Sequence, residues 1–163
     1  MQHATKLRWI INLWPPNLAA GIRVLRIDPD YRHVVVRLKR YFFNRNYVGT
    51  HFGGSLFAMT DPWWMIMMLR NLGSDYIVWD KAAAIDFIKA AREPVYADFV
   101  LDAATLDEVR ATADRDGKAL HWFTVDVKTA DGVLVAQVRK QVYVRRKRSG
   151  SEAITEREAP AGQ

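Results

Sequence analysis

The sequence predicts an α+β fold in which a curved antiparallel sheet wraps around one long apolar helix. An N-terminal helix precedes the sheet, and a short helical insertion interrupts it. Three observations support this prediction: the hydrophobic period changes from helical spacing to a period of two after residue 21, segment 55–73 is apolar on nearly every side, and four extended segments follow it. Because a helix without a polar face must be covered on all sides, it fits best in the concave face of the sheet.

Residues 1–20 are predicted to form an amphipathic helix and a proline-rich turn. Apolar side chains recur at helical spacing from Leu7 to Trp14, and Pro15 and Pro16 end the pattern. A hairpin follows, because residues 22–27 and 33–40 alternate apolar and polar side chains on either side of a turn at 28–30.

The aromatic-rich loop 41–54 then leads into the apolar helix, which is expected to end at Gly73. Four further strands are predicted, the last two joined by the hairpin signal Asp131-Gly132. These strands are Ile77–Ile88, Val95–Leu101, Leu120–Lys128 and Val133–Arg145. A capping-box pattern from Thr105 to Glu108 opens the short helix between the second and the third of them.

This order of elements describes a hotdog fold over residues 21–148. Residues 149–163 are small, polar and charged without apolar periodicity, so they are predicted to be a disordered tail. The chain of 163 residues is long enough for one domain with a substantial core.

Composition excludes several classes of site. The absence of cysteine excludes disulfides, cysteine-based zinc sites, iron–sulfur clusters and a thiol nucleophile. No histidine stands at a metal-ligand spacing, and no P-loop, dinucleotide fingerprint or serine nucleophile elbow occurs. We therefore expect neither a metal nor a cofactor.

The chain is expected to be cytoplasmic. Its most apolar run, Leu56–Leu69, has 14 residues and contains Asp61 and Pro62, whereas a bilayer span needs about 20 apolar residues. The N-terminus lacks the features of a secretory signal. The net charge of +6 is not accompanied by a recognition motif, so nucleic acid is not expected as a partner.

Segment 46–61 contains the candidate catalytic residues. Gly53 and Gly54 at the start of the helix expose backbone N–H groups, which suit a developing oxyanion such as that of a thioester. Asp61 follows Gly54 by seven residues, about 10 Å along a helix axis. One chain cannot aim both groups at one carbonyl, so we expect a homodimer with antiparallel helices and two symmetric sites, or a dimer of dimers.

Two interpretations of Asp61 remain open. Embedded among apolar side chains, it would be partly desolvated and suited to act as general base or nucleophile, with Thr60 and Asn46 orienting it or a water. Alternatively, Asp61-Pro62 is a helix cap followed by proline at the first helical position. If the helix runs through instead, Pro62 should kink it.

The segment resembles the hotdog-fold acyl-CoA thioesterases of the phenylacetate type. Their pattern is an Asn, a Gly, then His-Gly-Gly opening the central helix, with an Asp two turns on. The matching residues are Asn46, Gly49, Gly53, Gly54 and Asp61. The resemblance implies Asp61 as catalytic base or nucleophile, the Gly54 N–H as oxyanion donor, and Asn46 as a positioner of water or carbonyl.

The chain is also similar, over residues 20–147, to an uncharacterised branch of hotdog proteins. That similarity is carried by TDPWWMIMML, VWDKAAAIDFIKAAREPV and KQVYVRRK. The substrate implied is an acyl-CoA or related thioester, with coenzyme A part of the substrate. The alternative is a non-catalytic hotdog protein that binds an acyl chain or acyl-CoA.

The histidine departs from the thioesterase pattern. Phe52 stands next to the glycines and His51 lies one place earlier, where a turn or packing role is the commoner one. His-Phe-x-Gly is also similar to hotdog dehydratases. Those enzymes carry a carboxylate one turn further along the helix, and residues 65–68 here are Met and Ile, so dehydration is disfavoured.

Further substrate-binding candidates lie around this segment. Gly53 and His51 adjoin the predicted oxyanion site, and Trp64 is expected to line an acyl pocket. Lys81 would face the phosphates of coenzyme A or, as the commoner alternative, form a cross-strand ion pair.

Overall fold

A computed structural model describes residues 2–147 as five helices and one sheet of six antiparallel strands. The helices are α1 (Gln2–Leu13), α2 (Pro15–Ala20), α3 (Gly53–Ala58), α4 (Trp63–Leu72) and α5 (Ala103–Asp116). The strands are β1 (Ile22–Ile27), β2 (His33–Leu38), β3 (Tyr76–Phe87), β4 (Val95–Val100), β5 (Ala119–Thr129) and β6 (Leu134–Arg146). The tail predicted at 149–163 lies outside the described residues.

The strands lie in the order β1-β2-β4-β5-β6-β3, so β1 and β3 form the two edges of the sheet. The inward residues of the strands alternate with exposed ones, as a sheet with one covered face requires. Against this covered face pack the fully buried side chains of the central segment. They are Met59, Trp63, Met67 and Met68.

The central helix is interrupted, which corrects the prediction of one long helix. Helix α3 ends at Ala58 and α4 begins at Trp63, with a turn between them. The physical reason is Pro62, which has no N–H to donate to Ala58 and whose ring would clash with that carbonyl. The interruption places Asp61 in a turn rather than on a helix face.

The N-terminal segment contains two helices where one helix and a turn were predicted. Pro15 and Pro16 open α2, because the fixed φ of proline suits the first turn of a helix. Gly21, with a φ of 78°, ends α2 in the left-handed conformation. The Asn12 side chain fastens α1 to β1 by exchanging two hydrogen bonds with the backbone of Val24, at 2.7 and 3.0 Å.

The helical insertion is present, but its cap lies three residues earlier than the sequence pattern indicated. Asp102 is the N-cap of α5, and its Oδ1 accepts a hydrogen bond from the N–H of Thr105 at 2.7 Å. None of the helices in residues 2–147 combines the length and the apolar character needed to cross a bilayer.

Candidate functional site

The turn between α3 and α4 holds Asp61 by backbone hydrogen bonds. The N–H of Asp61 donates to Ala58 at 3.1 Å, and the N–H of Thr60 donates to Phe57 at 3.0 Å. Pro62 occupies the N-cap position of α4, and no side chain accepts a capping hydrogen bond at this end of the helix. The interpretation of Asp61 as a helix cap is therefore wrong, and its carboxylate is available for other contacts.

The Asp61 carboxylate forms an ion pair with Lys140 of β6. The Lys140 ammonium also bonds Asp80 of β3, with 2.9 Å between Nζ and Oδ2. The Lys140 side chain is only 4% exposed, against 22% for Asp80 and 58% for Asp61. One buried cation thus joins two acids, one largely covered and one facing outward; we call these three residues the acid–lysine cluster.

The surroundings of Asp80 in the acid–lysine cluster shift its pKa in opposite directions. Burial raises the pKa of Asp80 above its usual 3.8, the Lys140 ammonium lowers it, and the negative charge of Asp61 raises it again. The Asp80 Oδ1 atom is buried and has no hydrogen-bond partner among residues 2–147. The Lys140 ammonium also lies 5.8 Å from the centre of the Phe57 ring, a cation–π distance.

The environment of Asp61 differs from the expected one. The sequence predicted a carboxylate sunk among apolar side chains, but Asp61 is more than half exposed in the single chain. Met59 and Trp63 are buried in the core, whereas Asp61 lies in the turn between α3 and α4. Asp61 thus faces a cation at the rim of the core.

A groove of about 280 Å³ lies beside the start of α3. It brings together three of the predicted site residues, Asn46, His51 and Gly53, next to Phe87 at the end of β3. A Cβ placed on Gly53 would lie 2.9 Å from the Phe87 ring, so glycine is needed for this close approach.

The side chains of Asn46 and His51 are engaged within the walls of this groove. The Asn46 amide donates to Thr50 Oγ1 at 2.8 Å and to the His51 carbonyl at 3.1 Å, while its oxygen accepts from the Thr50 N–H. His51 is 5% exposed, and its Nε2 lies 2.7 Å from the carbonyl oxygen of Glu93. Burial lowers the pKa of His51 below its usual 6.5.

These contacts describe a loop-stabilising role for both residues. They agree with the turn or packing interpretation of His51, and they leave both N–H groups of the Asn46 amide already donating. The role of Asn46 as a positioner of water or carbonyl stays a prediction.

Gly54 lies directly under the ring of Phe52, the residue before α3. A Cβ on Gly54 would lie 2.5 Å from the Phe52 ring, which is itself 55% exposed. The Phe52 ring thus lies beside the helix start where the sequence placed the oxyanion donor, and the role of the Gly54 N–H stays a prediction.

The remaining predicted residues lie elsewhere. Thr60 is fully buried and its hydroxyl donates to the Phe57 carbonyl at 2.7 Å, so this hydroxyl proton is already used. Trp64 belongs to the core, stacked on Phe123 with 4.4 Å between ring centres, and its place in an acyl pocket stays a prediction. Lys81 is exposed on β3, at the register irregularity between Asp80 and Ala82.

Lys140 is the site residue that sequence reasoning missed. A signal existed in β6, where Val138, Lys140 and Val142 occupy successive inward positions. A lysine inside an alternating apolar series must find a buried counter-charge. The sequence does not say which carboxylates supply it, because they come from a turn and a strand far along the chain.

The architecture is that of a hotdog fold, and solved structures of this class match it closely. A Pseudomonas aeruginosa protein of unknown function described as a probable thioesterase matches with a TM-score of 0.77 and 20% identity, over 88% of this chain and 96% of that one. A Haemophilus influenzae thioesterase matches with a TM-score of 0.64 and 12% identity, over 88% and 90% of the two chains. The PaaI protein of the Escherichia coli phenylacetic acid degradation operon matches with a TM-score of 0.57 and 14% identity, over 88% and 91%.

The chain belongs to the family defined by the domain of unknown function DUF4442, whose model matches residues 4–144. No curated protein matches the sequence. Because these structures are at most 20% identical to the chain, their likeness shows the fold alone.

Proposed function

We propose that this protein hydrolyses an acyl-CoA or a related thioester in a homodimer, with Asp61 as the catalytic base or nucleophile and the Gly54 N–H as the oxyanion donor. The single observation that carries the proposal is the acid–lysine cluster, in which an outward-facing carboxylate is held by a buried cation. The thioesterase names of proteins with the same fold support the choice of substrate class.

Strand β3 adjoins both parts of the proposed site, the glycine turn and the acid. Gly53 packs against Phe87 at one end of β3, and Asp61 is tied through Lys140 to Asp80 nearer the other end. Seven residues of strand separate Asp80 from Phe87, roughly 23 Å at 3.3 Å per residue. The acid and the glycine turn thus contact different ends of β3, although Asp61 follows Gly54 by only seven residues, and we infer that the two do not act on one carbonyl within one chain.

Pairing two copies through β3 removes this separation. Strand β3 is an edge strand, and its middle residues Ala82, Ala83 and Ala84 are small. An antiparallel pair centred near Ala84 brings Phe87 of one copy beside Asp80 of the partner subunit. The Gly53–Gly54 turn then meets Asp61 of the partner subunit, which gives two symmetric sites.

The chemistry of such a site is ordinary thioester hydrolysis. The ion pair with Lys140 holds the Asp61 carboxylate in place, and a carboxylate can act as general base. A water attacks the thioester carbonyl and gives its proton to Asp61, while the negative oxygen is stabilised by the Gly54 N–H. The carbon–sulfur bond then breaks, the thiolate takes the proton from Asp61, and a carboxylic acid is released. Direct attack by the Asp61 carboxylate is the other route: the carbon–sulfur bond breaks, the thiolate leaves, and water then hydrolyses the anhydride to release the acid and restore Asp61.

The decisive experiment measures thiol release from short-chain, aromatic and long-chain acyl-CoAs. We expect Asp61→Asn to lower kcat by roughly 10²–10⁴-fold, the range of general-base catalysis. The matched control is Asp107→Asn, at an exposed acid on α5 that lies outside the acid–lysine cluster. Equal turnover by wild type and Asp61→Asn contradicts the assignment, and binding without turnover by either indicates a non-catalytic acyl carrier.

The dimer has a separate test in the mass of the protein in solution. A chain of 18.7 kDa that remains monomeric at micromolar concentration contradicts the composite site. Ala84→Arg, placed at the centre of the expected pairing, should give monomers and abolish thiol release together.

A further inference from the structure

The N-terminal helices present a large apolar surface. Each of five bulky side chains on α1, on α2 and at their junction is more than half exposed; together we call them the N-terminal face. They are Trp9, Ile10, Leu13, Trp14 and Leu18. The opposite side of α1, around Ala4 and Ile11, already covers the sheet. A surface helix normally turns polar residues outward, so the N-terminal face lacks the partner that its composition requires.

Positive charge is concentrated in the same part of the chain. Residues 1–52 hold nine Lys and Arg against two Asp, while residues 53–163 hold fifteen against sixteen Asp and Glu. The first acidic residue of the chain is Asp28. The whole excess of +6 therefore originates in the segment that contains the N-terminal face.

A basic groove of about 290 Å³ adjoins the N-terminal face and is lined by Arg8, Trp9, Arg23 and Arg37, among others. Arg23 lies directly opposite Arg37 in the ladder of β1 and β2, an unfavourable pair of like charges. Arg37 Nε is buried and has no hydrogen-bond partner among the described residues. An anionic group in this groove would reduce the repulsion between Arg23 and Arg37 and would accept a hydrogen bond from Arg37 Nε.

We propose that the N-terminal face docks on an anionic phospholipid surface. Trp9 and Leu13 would enter the boundary between headgroups and acyl chains. Three basic side chains would contact lipid phosphates: Arg8 and Arg23 of the groove and Lys6, which is exposed on α1. Helices with tryptophan and aliphatic residues on one side and basic residues beside them bind membranes in this way.

Charge complementarity selects lipid over a second copy of the chain. A second copy would bring the same positive charge to the contact, whereas an anionic bilayer neutralises it. Strand β1, which carries the N-terminal helices, lies at the far edge of the sheet from β3. Five strand spacings, roughly 24 Å, separate these edges, so a dimer formed through β3 leaves the N-terminal face free.

The test is sedimentation of the full chain with vesicles of phosphatidylcholine alone or with about one third phosphatidylglycerol. We expect binding to the anionic vesicles, with a loss at 1 M salt, where the screening length falls to about 3 Å. Lys6→Gln and Arg23→Gln should each weaken binding about fivefold. Trp9→Gln with Leu13→Gln should weaken it roughly tenfold or more.

The matched control exchanges two apolar side chains of similar exposure on β5, Leu120→Gln with Trp122→Gln. This control should bind anionic vesicles as the wild type does, and thermal unfolding checks that both double variants fold. If a double variant does not fold, the single charge substitutions at Lys6 and Arg23 still decide the question.

Three results overturn the proposal. The first is no vesicle binding, or equal binding to neutral and anionic vesicles. The second is an equal loss in the β5 control. The third is a fall in the mass of the free protein on Trp9→Gln with Leu13→Gln, which would assign the face to a second copy.

Discussion

Replacing Lys140 by Met is expected to destabilise the protein by about 3 kcal/mol. Methionine fills a similar volume but removes the ammonium that lies between Asp61 and Asp80. Loss of one partner from a buried ion pair costs about 3–5 kcal/mol. The lower end applies here, because Asp61 is 58% exposed and regains water, whereas Asp80 at 22% remains a covered charge.

Denaturant and thermal unfolding measure this cost. For a chain of 163 residues, about 3 kcal/mol corresponds to a fall in Tm of roughly 6–12 °C. The matched control is Lys128→Met, whose ammonium lies at the same 2.9 Å from Asp126 but with side chains 47% and 34% exposed. An exposed pair is worth about 0–1 kcal/mol, so the control should change Tm little.

The acid–lysine cluster also gives this prediction a pH dependence. Removing Lys140 removes an influence that lowers the pKa of Asp80, so the raised pKa of this acid rises further. Because the pKa of Asp80 is higher in the folded chain than its usual 3.8, the protonated acid stabilises the fold. This stabilisation is fully present below pH 3.8 and is lost as the pH rises through the pKa that Asp80 has in the folded chain. The cost of Lys140→Met should therefore be smallest near pH 4 and grow toward neutrality. A cost that equals that of Lys128→Met at every pH refutes the reasoning, and so does a double variant with Asp80→Asn that recovers no stability.

Three further predictions concern other parts of the site and fold. Gly54→Val displaces the exposed Phe52 ring and should leave a folded protein with little thiol release; a normal rate would count against Gly54 as oxyanion donor. The lowered pKa of His51 means that wild type loses stability as pH falls below about 6.5, and His51→Gln should lack this part of the acid sensitivity in unfolding measured at pH 5 and pH 7; equal pH dependence would contradict it. Asp102→Ala removes the cap on the Thr105 N–H and should cost about 1 kcal/mol in thermal unfolding, while an unchanged Tm would mean that water replaces the cap.

The elements of the fold were accessible from the sequence because their signals are local. Alternation over 22–27 and 33–40 and the Asp131-Gly132 turn indicated the two hairpins, and the structure has both. The central helix was harder, since its apolar pattern continues through Pro62 and periodicity alone does not show where a helix breaks.

The site was accessible only in part, because its contacts join distant positions. The Asp61–Lys140 pair spans 79 residues, and no local pattern connects a turn with the middle of a late strand. The engagement of Asn46 depends on how the loop closes on Thr50 and His51, which spacing does not reveal. Lys140 in the apolar alternation of β6 was the one visible sign that a buried counter-charge must exist.

The strand order has a consequence for biosynthesis. Strand β3 pairs within the described chain only with β6, which the ribosome makes after three intervening elements. The 12-residue strand β3 therefore lacks its pairing partner until residues 136–146 have been synthesised. Until then, the unpaired edge of this strand is open to pairing with another chain.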